Sequence, residues 1–254
     1  MKSQVGCFCL ATCVWSSLAA TAAAQTLSPI QITNRPLGLP IIGPVYQKAS
    51  DSPSVAYSSK QTGYTNYITS NVKEGVKFTG IGVNQLDPQR LYFLFDYMPR
   101  VYFIYGYAGY VDGLGATIAT IDKPSSGILT GNTFTIFPSC HWNGSTTRST
   151  TYPVLPGDFV QLPTVKAGQQ LSFFVYSNEN SGGSPANVFY NGKANNPDNF
   201  QHMIAFFPDN SQYIIIGFED LYGGGDQDCN DLMFVVDIGP QNALVLKNPN
   251  SLPK

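Results

Sequence analysis

The chain has 254 residues, 43% of them hydrophobic and only 12% charged, with a formal net charge of -2 at pH 7. That length suits one large domain, or one domain with a smaller extension, and the charge balance excludes the basic footprint of a nucleic-acid binder. The 24 Gly, 18 Pro, 15 Tyr and 16 Phe point to strands and turns rather than to helices.

Residues 1–24, MKSQVGCFCLATCVWSSLAATAAA, hold one Lys, an apolar run and small residues ending Ala22-Ala23-Ala24. The pattern predicts a signal peptide cleaved after Ala24, hence a secreted, periplasmic or cell-surface protein. The apolar run is too short and too broken by Ser and Thr for a retained membrane span. No second long apolar segment follows, so no span is expected in the mature chain. Residues 25–88 read as a Pro/Gly-rich extension with candidate short strands in TGYTNYITSNVKEGVKFTGIGVNQL. Over 89–238 short aromatic and β-branched runs alternate with turn residues: RLYFLF, RVYFIYGY, NTFTIFP, LSFFVYSN, HMIAFFP, SQYIIIGF and DLMFVVDI. This predicts an all-β fold, an antiparallel β-sandwich of jelly-roll type. Residues 239–254 read as a polar tail. No stretch shows sustained helical amphipathicity. Cys140 and Cys229 remain after signal cleavage. They are candidates for one disulfide in an oxidising compartment, the alternative being two separate buried thiols.

The few charges are unevenly placed. Between the predicted strands YIIIGF and LMFVVDI lie Glu219, Asp220, Asp226, Asp228 and Asp231, with Asn230 among them and no Lys or Arg. Carboxylates that close repel one another. A hard cation such as Ca²⁺ takes about six to eight oxygens from carboxylates, amides and carbonyls, and Asp226-x-Asp228-x-Asn230 alternates such oxygens. Gly223, Gly224 and Gly225 permit the tight path that turns them inward. The run opens like an EF-hand, but Asp231 stands where that loop needs Gly, and a strand follows where it needs a helix. Mg²⁺ prefers fewer carboxylates and more water. Zinc would need a His and Cys set. The alternative is a solvated acidic turn without metal.

GFEDLYGGGDQDCNDLMFVV resembles the terminal signature of the domain-of-unknown-function 4114 family, found in exported bacterial proteins that include large calcium-dependent adhesins. Upstream, YAGYVDGLGATI, IFPSCHW, VLPGDFVQLPTVKAGQQLSFFVYSN and NNPDNFQHMIAFF resemble further family segments in the same order. The resemblance therefore spans roughly residues 89–238. It implies a β-sandwich whose Glu-Asp…Gly-Gly-x-Asp-x-Asp-x-Asn-Asp run binds calcium. Position by position, Glu219, Asp220, Asp226, Asp228, Asn230 and Asp231 become the candidate ligands. Asp198 matches the upstream segment as a further oxygen donor. His202, a soft ligand for calcium, is expected to hydrogen-bond a ligand carboxylate or to sit satisfied in the structure. Cys229 stands where the family has an aromatic, so the packing beside it is expected to differ.

Catalytic signatures are missing. The histidines are His141 and His202, and no nucleophile elbow, His-Glu-x-x-His, phosphate loop or dinucleotide fingerprint occurs. Glu219 and Asp220 are adjacent, so on an extended backbone they project to opposite faces and are poorly placed to flank one bond. The expectation is a non-catalytic calcium-binding module for an extracellular glycan or peptide, in carbohydrate binding or adhesion. The alternative is a structural envelope or matrix protein in which calcium only stabilises the fold, and a hydrolase is the weakest reading. The aromatics of VYFIYGYAGY and Trp142 are read first as strand core, with stacking on sugar rings as the alternative.

Overall fold

The aromatic and β-branched runs form strands, and the Gly, Pro and Asn residues between them fall in the connections. A computed structural model describes residues 37–82, 85–120, 132–177 and 187–248. The signal-peptide expectation, with Cys7, Cys9 and Cys13, lies outside these residues. In chain order come helix α1 (Ser52–Asn71), then β1 (Gln85–Leu86), β2 (Tyr92–Phe93), β3 (Arg100–Gly106), β4 (Gly113–Thr120), β5 (Asn132–Phe137), β6 (Phe159–Gln161), β7 (Gln169–Ser177), β8 (Asn187–Tyr190), β9 (Met203–Phe206), β10 (Tyr213–Phe218) and β11 (Leu232–Asp237), closed by helix α2 (Pro240–Leu246). Six strands form a sheet in the order β1-β9-β10-β11-β3-β6. Five form a second, β2-β7-β4-β5, with β8 also on β7. Every pairing between these strands is antiparallel. The protein is thus mostly β, and no helix among the described residues is long and apolar enough to cross a membrane.

One apolar cluster draws Phe103, Ile214, Ile216 and Phe234 from the six-stranded sheet and Leu114, Phe134, Phe173 and Val175 from the five-stranded one. Phe137 of β5 stacks on Phe234 of β11 with ring centroids 5.7 Å apart. A second cluster covers the outer face of the six-stranded sheet. There Tyr102, Ile104, Ile215 and Val235 meet Tyr57, Tyr64 and Ile68 of α1. Strands buried on both faces lose the usual in–out alternation, which is why YIIIGF and LMFVVD are unbroken apolar runs.

Helix α1 departs from the sequence expectation, which put short strands across much of 62–86; among the described residues there, only β1 is a strand. Its start is well specified. Asp51 is the N-cap and accepts the Ser54 N–H at 2.9 Å, while the Ser54 hydroxyl oxygen accepts the Asp51 N–H at 3.0 Å. Asp51 also pairs with Arg100 of β3 at 2.7 Å, fixing the helix entry to the sheet. The buried stripe is Ser54, Tyr57, Gln61, Tyr64 and Ile68, a helical spacing made largely of residues with polar atoms. Tyr57 stacks on Tyr102 at 3.9 Å. The expected polar tail likewise holds α2. The Asn242 side-chain oxygen there accepts the N–H groups of Leu94 and Phe95, each at 3.0 Å.

The candidate disulfide is not formed. Cys140 belongs to the cluster between the sheets and Cys229 to the cluster under α1, so the six-stranded sheet lies between them.

In the five-stranded sheet the rings of Tyr176 and Phe174 lie across Gly113 and Gly115 of β4, where a Cβ would overlap them. Gly115→Ala must displace the Phe174 ring and crowd the Phe134 carbonyl. It is expected to cost about 1–3 kcal/mol, read as a lower denaturant midpoint at unchanged m.

Candidate metal centre

Strands β10 and β11 run in register from Tyr213↔Asp237 to Phe218↔Leu232. The connection from Glu219 to Asp231 therefore leaves and re-enters the sheet at one rung, and both its ends are pinned. Inside it, Gly223, Gly224 and Gly225 have positive φ, and so do Gln227 (66°) and Cys229 (60°). A left-handed backbone at a residue with a side chain costs on the order of 1–2 kcal/mol. Contacts from outside the loop hold it there. The Phe78 N–H donates to the Gln227 carbonyl at 2.8 Å, and the Gly75 N–H donates to the Asp228 carboxylate at 2.8 Å.

The carboxylates fall into two sets. Glu219, Asp220 and Asp231 bring oxygens within 4.8 Å of one another, and so do Glu74, Asp226 and Asp228. The first set is the more buried: Glu219 is 1% and Asp220 2% exposed. Asp231 accepts the Asp220 N–H at 2.9 Å, but Glu219 Oε2 and Asp220 Oδ2 meet no hydrogen-bond donor. Among the described residues no Lys or Arg forms a salt bridge with any of the six.

Ionisation is correspondingly hard. Burial, then the neighbouring Asp112, pushes Asp220 up to about 9. Burial followed by the charge of Asp231 raises Glu219, and burial followed by Asp220 raises Asp231. Glu74 is raised by burial and then by Asp228 and Asp226. The Cys229 thiol is pushed well up, first by burial and then by Glu219 and the loop aspartates.

Of the residues singled out in the sequence, Glu219, Asp220 and Asp231 come together, Asp226 and Asp228 come together in a second set, and Asn230 is buried in the same loop. Asp198 joins neither set. Its carboxylate meets His202 Nε2 at 2.9 Å and accepts the N–H groups of Gly223 at 2.7 Å and Phe200 at 3.0 Å. His202 is fully buried, with Nδ1 2.8 Å from the Glu219 carbonyl oxygen and its ring stacked on Phe189 at 3.6 Å. Asp198 and His202 thus staple the start of the acidic loop to the segment before β9, and Asp198 is a brace where a further oxygen ligand was expected. Glu74 escaped sequence reading. It sits in VKEGVK between two lysines, an ordinary surface pattern, and nothing local ties it to residues 226–228.

A family model described as Domain of unknown function (DUF4114) matches residues 165–239. The match holds Asp198, His202, the whole acidic loop and β11, and bears out the resemblance over the C-terminal part of the span on which it was expected. No curated protein and no solved structure matches the chain.

The carboxylates set a pH dependence. The folded value of Asp220 lies far above the roughly 3.9 of an unfolded Asp, so the folded chain holds a proton that the unfolded chain releases. Its stabilising effect is full below about pH 4 and is lost as pH rises toward about 9. In chelator the melting temperature should fall across that window, at most about 1.4 kcal/mol per pH unit for each such carboxylate. Asp220→Asn should flatten the fall. Identical pH profiles for the two proteins would contradict the assignment.

Proposed function

We propose that this chain is an exported calcium-binding β-sandwich module, not an enzyme, whose cation-ordered loop serves to bind an extracellular glycan or peptide. The observation that carries the reading is the pair Glu219 and Asp220, buried with no hydrogen-bond donor among the described residues at Oε2 or Oδ2. Removing one charge from water without a partner costs several kcal/mol, and neighbouring carboxylates resist ionising together. Protons can relieve this at low pH; at neutral pH a divalent cation can. The donor set is hard oxygen throughout, which fits calcium, while the His202 ring is engaged with Asp198 and the Glu219 carbonyl. Glu219, Asp220 and Asp231 would hold the ion, which would supply positive charge and order the loop. The sandwich reading rests on the shared core between two antiparallel sheets, and export on the signal-peptide pattern of residues 1–24.

Ligand binding is favoured by what the loop exposes. Leu221 and Tyr222 are exposed within it, and Tyr107 is exposed beside it, tied by its N–H to the Asp231 carbonyl at 3.1 Å. Tyr107 in turn stacks on Tyr105, with centroids 6.4 Å apart. Exposed aromatic faces of this kind suit a sugar ring or an apolar side chain. The burial of Glu219 and Asp220 favours a second reading, in which calcium only stabilises a structural protein of the envelope or matrix.

Thermal melting tests the calcium assignment. At a free concentration a hundredfold above Kd, calcium should stabilise by about 2.7 kcal/mol, a rise of roughly 5–10 °C for a chain of this size. Glu219→Gln and Asp220→Asn should melt higher than the parent in chelator and respond less to calcium. A parent protein whose melting ignores calcium would sink the proposal. Glycan and peptide arrays probed in calcium separate the two readings: Tyr222→Ala should lose binding while keeping the calcium response.

A further inference from the structure

Glu74 lies outside the residues of the family match, on the segment that leaves α1, yet its carboxylate sits with Asp226 and Asp228. We propose that Glu74, Asp226, Asp228 and the Asn230 amide form a second divalent-cation site that clamps the N-terminal segment to the acidic loop. The inference rests on the calcium reading above and adds a separate site to it.

Three observations carry it. Ligand oxygens around one calcium lie at about 2.3–2.6 Å from the ion, so no two are more than about 5 Å apart. Glu74, Asp226 and Asp228 meet that limit among themselves, as Glu219, Asp220 and Asp231 do, but the six do not form one set. Second, Asn230 is 1% exposed and its side-chain amide has neither Oδ1 nor Nδ2 at hydrogen-bond geometry with a partner. That amide lies against Glu74 and Asp228. A buried polar group with no partner is costly, and a cation among the carboxylates would take its oxygen. Third, the two segments are already held face to face by the Gly75 N–H on Asp228 and the Phe78 N–H on the Gln227 carbonyl. Closing the site therefore requires little rearrangement. Glu74 and Asp226 are exposed, so the ion can enter from solvent, unlike one held at Glu219 and Asp220.

Calcium titration calorimetry on the purified chain tests the proposal against Glu74→Gln and Glu219→Gln. The parent should bind two ions. Glu74→Gln, a surface change that leaves the core intact, should weaken one site at least tenfold and keep the other. Glu74→Asp should recover part of the loss. Hydrogen exchange gives an independent readout: calcium should slow exchange of the Gly75 and Phe78 amides in the parent and in Glu219→Gln, but not in Glu74→Gln. Two undiminished sites in Glu74→Gln, or a single parent site that this change leaves intact, would overturn the clamp and leave the calcium reading standing. A parent that binds no calcium would overturn both.

Discussion

Mutual repulsion among carboxylates is the constraint on which this site is built. A chain with few charges gathers six of them where strands β10 and β11 open into a loop, and among the described residues no lysine or arginine forms a salt bridge with them. The sheet pins both ends of the loop, Asp198 and His202 brace its start, and backbone donors from residues 75 and 78 hold its middle. With so many anchors the carboxylates cannot relax by moving apart. They must take up protons or a cation, and which of the two they take ties the stability of the fold to pH and to the surrounding solution.

The same region depends on a second requirement, that the six-stranded sheet be covered on both faces. The five-stranded sheet covers one through a shared aliphatic and aromatic core. Helix α1 covers the other with a stripe of tyrosines, Tyr57 stacked on Tyr102 and Tyr64 edge-on to Tyr213. The Asp51–Arg100 pair sets where the helix begins, and its last turn delivers Glu74 to the acidic loop. Packing of the helix and electrostatics of the loop are thereby joined through a few residues after Asn71.

Much of this was legible in the sequence because the signals were local. Runs such as YIIIGF and LMFVVD could only be strands, and the acidic loop announced itself by composition. Helix α1 was hidden because its buried face is tyrosine, glutamine and serine, which give a helical period little hydrophobic contrast. In one dimension, an aspartate that braces a loop through a histidine and two backbone amides, as Asp198 does, looks like one that binds an ion. Glu74 and the separation of Cys140 from Cys229 are facts of tertiary geometry. Sequence distance carries no information about either.

The position of β11 has a consequence for how the molecule is made. It is a central strand, flanked by β10 and β3, yet it is the last strand among the described residues, and its partner at Asp237 is Arg100. The six-stranded sheet cannot close until β11 is available to join β10 to β3. Pairings this distant make assembly slow, and until then β3 and β10 each present an unpaired apolar edge that is open to aggregation. A chain of this topology cannot complete the six-stranded sheet strand by strand in sequence order; β3 and β10 wait as separate edges until β11 slots in and joins them.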